Sequence, residues 1–322
     1  MKPRVLFVVA VLLLGLRAER ARAGAEGGPK FELGHNEVVA FIGGADVAAA
    51  QFSGQLEALL AVKYQGVGVR FRNFGWEGDT VFSQPRDVGF PPLKAHLKKA
   101  GATLLVFQLG RMESFGGAAD LPRFVAAYER MLDECGSPTA RSALVTPPPF
   151  EKARGHLPDL TPRNADLGAY AQAIREVAKR RELPLVDLFE ELRTAAYSEE
   201  RLTSDGLQLT PRGEGLVARA FADQAGFGDL AKKAGDLNPD GDWSNPAFEK
   251  VRLAAIAKNR LWFEYWRPQN WAFLGGDRTE QPSSRDHRDR NIRWFPAEME
   301  KFIALIEQAE AKMSAAAEEA TK

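Results

Sequence analysis

The sequence has almost no cysteine. Its one thiol, Cys135, has nothing to pair with, so no internal disulfide frames the fold, and its apolar neighbours suggest a buried group. Histidine is nearly as scarce, with four in 322 residues. Without clustered Cys and His there is no zinc pattern, and nothing else calls for a metal or cofactor. Long apolar runs are also missing. The longest, Val5 to Leu16, is about 12 residues, short of the ~20 needed to span a bilayer. Lys2 and Arg4 precede it, and Ala21-Arg22-Ala23 follows as an A-x-A cleavage site before Gly24. That order is expected of a secretory leader over residues 1–23; an uncleaved anchor is the alternative. Cleavage leaves a secreted or periplasmic protein with no integral membrane segment.

The charge balance excludes another class. The precursor is formally neutral, and residues 1–23 carry five basic groups and one acidic one, so the mature chain has a net charge of about −4. A nucleic-acid partner requires a basic surface and is not expected.

What is present is a repeating alternation. Short apolar runs at 38–42, 67–71, 104–107, 143–145 and 185–188 read as buried strands. Between and after them, residues 50–63, 92–100, 121–135, 164–181 and 211–223 repeat apolar groups at helical spacing. Strand and helix in alternation predict a three-layer α/β/α, flavodoxin-like fold with five parallel strands. The predicted division is a domain over 24–228 and a linker plus C-terminal extension over 229–322. Residues 229–249, rich in Gly, Asp, Asn and Pro, read as linker or long loop, and 298–322 as a polar helix that frays at its end.

In such a sheet, ligands bind where the strands end. Five turns fall there: Gly43-Gly44-Ala45-Asp46, Asn73-Phe74-Gly75-Trp76-Glu77-Gly78-Asp79, Gly110-Arg111-Met112-Glu113-Ser114, Thr146-Pro147-Pro148-Pro149 and Asp205-Gly206-Leu207-Gln208. Over roughly residues 36–225 these turns resemble, in order, those of the SGNH hydrolases, or GDSL-type esterases. The resemblance implies a serine nucleophile in the first turn and a glycine in the second. It implies a glycine and an asparagine for an oxyanion hole in the third, and an aspartate and a histidine in the last. This chain has Ala45 at the serine position, Gly44 beside it, Gly75 or Gly78 as the second-turn glycine, Gly110 with Met112 at the asparagine position, and Asp205 with Gln208 at the histidine position. Alanine has no oxygen to attack with, methionine has no donor, and glutamine takes no proton at neutral pH. The tail from Lys258 to Glu300 is similar to an extension carried by one bacterial subgroup of GDSL-like proteins.

Relocated chemistry has few candidates. His287 sits between Asp286 and Asp289, near Ser283 and Ser284, and is the candidate relocated base. His156 follows strand four on the rim side, His35 precedes strand one, and His96 lies on a lysine-flanked helix face that reads as solvated. Ser53 and Ser114 are further candidate nucleophiles. Asp46, Glu77, Asp79, Glu113 and Asp205 also fall on the expected rim, where two carboxylates together could do acid–base work; Asp79-Thr80 also reads as a helix cap. In the tail, Trp262 and Trp266 share a helix face, which favours packing, whereas Trp271 reads as a ligand contact. The expected binding cleft is therefore Gly43, Gly44, Asp46, Gly75, Glu77, Gly110, Arg111, Glu113, Asp205 and Trp271. Two functions follow: a non-catalytic member that binds a glycan, an acyl-bearing small molecule or a partner protein, or an ester hydrolase with moved residues. A weaker third reading is an assembly module in an envelope complex.

Overall fold

The computed structural model describes residues 28–322, so the expected leader lies outside the described residues. Five parallel strands, β1 (Val38–Gly43), β2 (Arg70–Asn73), β3 (Leu104–Gln108), β4 (Arg141–Val145) and β5 (Leu185–Val186), form one sheet in the order β2-β1-β3-β4-β5. Alternate side chains feed two cores, one on each face. Val39, Phe41, Leu104 and Val106 pack on one side, and Ala40, Ile42, Leu105 and Phe107 on the other. Helices α3 (Leu93–Ala100), α4 (Gly117–Cys135) and α5 (Asn164–Arg180) contribute to the second face. Helices α1 (Ala45–Ser53), α2 (Gln55–Lys63), α7 (Pro211–Gln224) and α8 (Gly228–Lys233) contribute to the first; α6 (Leu188–Glu191) is a single short turn after β5.

Several boundaries differ from the sequence pattern for local reasons. The expected helix over 50–63 is two helices, because Gly54 takes a left-handed φ of 73° and ends α1. The second strand starts at Arg70 rather than Val67, since Gly66 and Gly68 are both left-handed and form a turn. β5 stops at Val186, where the Asp187 side chain caps α6 by accepting from Glu190 N–H. The 229–249 stretch is not a free linker. It contains most of α8 and buries Ala231, Ala234, Leu237 and Trp243 in the core.

The extension is two antiparallel helices, α9 (Pro246–Trp266) and α11 (Trp294–Ala320), with a short α10 (Trp271–Leu274) between them. α9 lies along α1, α2 and β2. Lys258 is fully buried there, with Nζ 2.6 Å from Glu57 and 3.0 Å from the Phe71 carbonyl. Asn259 donates to the same Glu57 carboxylate at 2.8 Å. Trp262 donates its indole N–H to the Asn73 carbonyl at 2.7 Å, and Arg72 donates to Phe71 O and pairs with Glu310 of α11. Trp262 and Trp266 both meet Phe74 edge-on and are buried. The C-terminal helix does not end as a frayed tail: Met313, Ala316 and Ala317 join the first core. Among the described residues, no helix is long and apolar enough to cross a membrane.

Candidate active site

The turns after the strands are stapled to one another. Trp76 N–H donates to Gly43 O at 3.0 Å, joining the second turn to the first. The Glu113 carboxylate accepts from Val81 N–H at 2.8 Å and from Gly110 N–H at 2.9 Å, which locks the third turn to the segment after the second. Arg111 reaches Asp46 of the first turn at 2.7 Å and the Pro149 carbonyl of the fourth at 3.3 Å. The Glu151 carboxylate, just past the fourth turn, accepts from Leu202 N–H, Thr203 N–H and the Thr203 hydroxyl, while its own N–H donates to Gly206 O. The result is a rim whose backbone is fixed by buried side chains rather than by the strands alone.

Ala45 opens α1 on this rim and is exposed. The first intrahelical bond runs from Ala48 N–H to Gly44 O, and Gly44 supplies no side-chain cap. The leading N–H groups of α1 therefore point toward the rim with the positive end of the helix dipole. The two candidate second-turn glycines part company. A Cβ on Gly75 would come within 2.7 Å of the Val47 carbonyl carbon, and its N–H is already donated to Asn73 Oδ1 at 2.8 Å. Gly75 thus serves the contact between the second turn and α1. Gly78 faces open space. The Gly110 N–H is spent on Glu113, and its φ of 109° is one that side chains rarely adopt.

Met112 and Phe115 are exposed on the third turn, and Gln208 is exposed on the last. Asp205 accepts from Leu207 N–H and Gln208 N–H at 2.9 and 2.6 Å. Partial burial works to raise its carboxyl, but those donors, with Arg111 nearby, hold it below the ordinary value. Arg111 is buried, stacked 5.3 Å from the Phe150 ring centre, and its Nε has no partner.

Beneath this pair lies a residue absent from the sequence reading, Glu214 in the first turn of α7. It is 8% exposed, its Oε1 has no partner, and burial, with Asp46 nearby, pushes its carboxyl up to about 8 despite Arg111. At neutral pH Glu214 thus keeps its proton, while Asp46 pairs with Arg111. The signal was in the sequence: Glu214, Val217, Ala218 and Phe221 share one stripe of α7, all buried.

Other expected site residues stand elsewhere or act differently. Glu113 is a buried staple, with burial raising its carboxyl, not an open ligand group. Asp79 caps no helix; it makes a two-pronged pair with Arg86 at 2.6 and 2.7 Å, and the chain stays irregular until α3. Glu77 faces the extension, pairing with Arg267 at 2.7 Å. Trp271 is not part of the rim cleft: its indole donates to Val88 O at 3.0 Å and its ring packs on Phe90. His287 is exposed, and its neighbours Asp286 and Asp289 cap their own turn through Arg288, Asp289 and Asn291 N–H groups. Ser284 donates to Thr279 O and Gln281 O, Ser114 to Arg111 O and Ser53 to Ala50 O, so none of these hydroxyls meets a histidine. His156 is exposed on a loop. His96 is not solvated: it stacks on Phe90 at 4.8 Å, and burial with Lys99 nearby pushes it down to about 4. Among the described residues, no group of three or more His, Cys, Asp or Glu could hold a metal ion.

A five-stranded parallel sheet whose turns build one rim from a G-G-A-D, a G-D-T and a D-G-L-Q segment is an α/β scaffold with its site at the strand ends. Residues 36–216 match the GDSL-like Lipase/Acylhydrolase family, and the chain belongs to that family. Similar solved structures include a gut microbial diltiazem-metabolizing enzyme, 16% identical with a TM-score of 0.49, over 61% of this chain and 48% of that one. The chain thus spans about half the length of that protein. A catalytic mutant of an acetylxylan esterase from Geobacillus stearothermophilus is 19% identical with a TM-score of 0.47, over 61% of this chain and 97% of that one. A putative GDSL-like lipase from Parabacteroides merdae is 14% identical with a TM-score of 0.45, over 62% of this chain and 100% of that one. No curated protein matches the chain.

Proposed function

We propose that this GDSL-family protein works outside the cytoplasm and binds a carbohydrate or acyl-bearing ligand on its rim, without hydrolysing it through a serine and a histidine. The observation that carries this reading is the state of the first and third turns. Ala45 stands at the expected nucleophile position, and the Gly110 N–H expected to hold an oxyanion is donated to Glu113. The rim instead exposes apolar Met112 and Phe115 on its third turn and polar Gln208 on its last, with Asp205 partly exposed. An apolar face with hydrogen-bonding groups at its edge suits a sugar ring or an ester-bearing group. The uncapped N-terminus of α1 favours a carbonyl or hydroxyl oxygen over a cation there.

A second reading rests on Glu214. A protonated Glu214 near the Asp46 that pairs with Arg111 is an arrangement that acid–base catalysis by paired carboxylates uses. One experiment separates the readings. Acid release from acetylated xylo-oligosaccharides and simple acyl esters is measured for the wild type, Glu214→Gln and His287→Ala, beside a glycan-binding screen. The binding reading expects release no faster than in buffer for all three, with saturable glycan or acyl-glycan binding. Release lost in Glu214→Gln moves the assignment to carboxylate catalysis, and release lost in His287→Ala overturns both.

A further inference from the structure

Away from the rim, α3, α9, α11 and the segment from Pro268 to Arg293 enclose a groove of about 590 Å³. It runs beside β2, between α3 of the family-matched part and the extension that follows that part. The α11 residues that line it extend from Pro296 to Glu307, which at 1.5 Å per residue is a length of ~16 Å. The groove thus runs along about three turns of α11. A groove of this length suits an extended chain rather than a branched or globular body.

The lining narrows the chemistry. Trp262 and Trp266 form the floor, and Met299, Ile303 and Ile306 form the α11 wall. The Arg72 guanidinium lies 4.8 Å from the Trp262 ring centre, and Lys99 Nζ lies 4.7 Å from that of Tyr265. Those cations occupy ring faces that would otherwise receive a quaternary ammonium or a stacked sugar. Trp266 is held edge-on by Phe74, Trp76 and His96. His96, pushed down to about 4, adds no charge at neutral pH. Four cations line the groove, Arg70, Arg72, Lys99 and Arg293, against the carboxylates Glu300 and Glu307. Glu310 neutralises Arg72, but among the described residues Arg70 and Lys99 have no carboxylate partner.

We propose that this groove is a second binding site, separate from the rim, for a long-chain carboxylate. Its chain lies along Trp262, Trp266 and Ile306, and its carboxylate meets Arg70 and Lys99. The test is calorimetric titration of the purified protein with dodecanoate and with dodecyltrimethylammonium, both below their micellar concentrations. Saturable one-to-one binding of dodecanoate at micromolar concentration is expected, with at least tenfold weaker binding of the cationic amphiphile. Arg70→Glu with Lys99→Glu, both exposed, should weaken dodecanoate at least tenfold. Ala95→Phe, which fills the groove from an exposed position on α3, should do the same while circular dichroism stays unchanged. Absence of saturable binding, equal affinity for both amphiphiles, or dodecanoate binding that survives Ala95→Phe overturns the assignment. So does a concentration-dependent dimer that Ala95→Phe abolishes, since a second copy of the chain would then be the occupant.

Discussion

Glu214 gives a prediction whose sign and size both follow from its position. Its carboxyl is moved from 4.5 to about 8, first by burial and then by Asp46. Below pH 4.5 the folded and unfolded chains both hold the proton, and the group has no effect on the balance. Between 4.5 and about 8 the unfolded chain has released the proton while the native chain keeps it, so stability falls as pH rises. Each unit is worth ~1.4 kcal/mol, which makes the cost roughly 3 kcal/mol by pH 7 and roughly 5 kcal/mol above pH 8. Glu214→Gln keeps the shape and removes the titration. The amide adds a buried donor that costs ~1–3 kcal/mol, but equally at every pH. Urea unfolding of both proteins from pH 4 to pH 9 therefore measures the difference in slope, and groups common to both cancel. The wild type should lose stability relative to the variant by several kcal/mol across that range. Parallel stability–pH curves would show that Glu214 ionises in the native protein as it does in water, and the buried-acid account would be wrong.

Two further outcomes follow from the extension. Lys258→Met leaves Glu57 charged and buried with only Asn259 as donor, and should cost ~3–5 kcal/mol in urea unfolding. The double variant Lys258→Met with Glu57→Gln should recover most of that loss, and simple additivity of the two changes would show that the ions do not interact. His96, stacked on Phe90 and pushed down to about 4 by burial, should titrate near pH 4 when followed by its imidazole NMR shifts. A midpoint near 6.5 would place the ring in water.

Much of the fold is legible in the sequence because each strand carries enough apolar residues to be buried on both faces. Val38 to Ile42 and Leu104 to Phe107 alternate between two cores, and the helices between them repeat at the spacing the structure adopts. The misreadings share a cause. Gly54, Gly66 and Gly68 act through backbone angles that a hydrophobic pattern does not record. The 229–249 stretch looks like a linker by composition, yet its few apolar residues, Leu237 and Trp243 among them, are the ones buried. For the site, strand order puts the turns after the strands on one side, since a parallel sheet puts every strand's end there. What the sequence did not reveal is which polar groups are already engaged. Glu113, Asp79 and Gly75 are used by the structure itself, and Trp271 is held by Val88 and Phe90. Polar residues on buried helix stripes, Glu214 on α7 and Lys258 with Asn259 on α9, were the readable sign that something other than oil fills those positions.

The contacts that α9 makes with β2 have a consequence for the chain in isolation. β2 is the last strand on its side of the sheet, and its outward-facing carbonyls, Phe71 O and Asn73 O, are taken by Lys258, Arg72 and Trp262. Side chains thus fill the place of a sixth strand and deny the open edge to any other chain. A fragment cut after α8 would present that edge bare, flanked by Phe71 and Phe74, and would self-associate instead of yielding a smaller soluble hydrolase-like domain. The extension is, on this account, a cover for the β2 edge against strand addition.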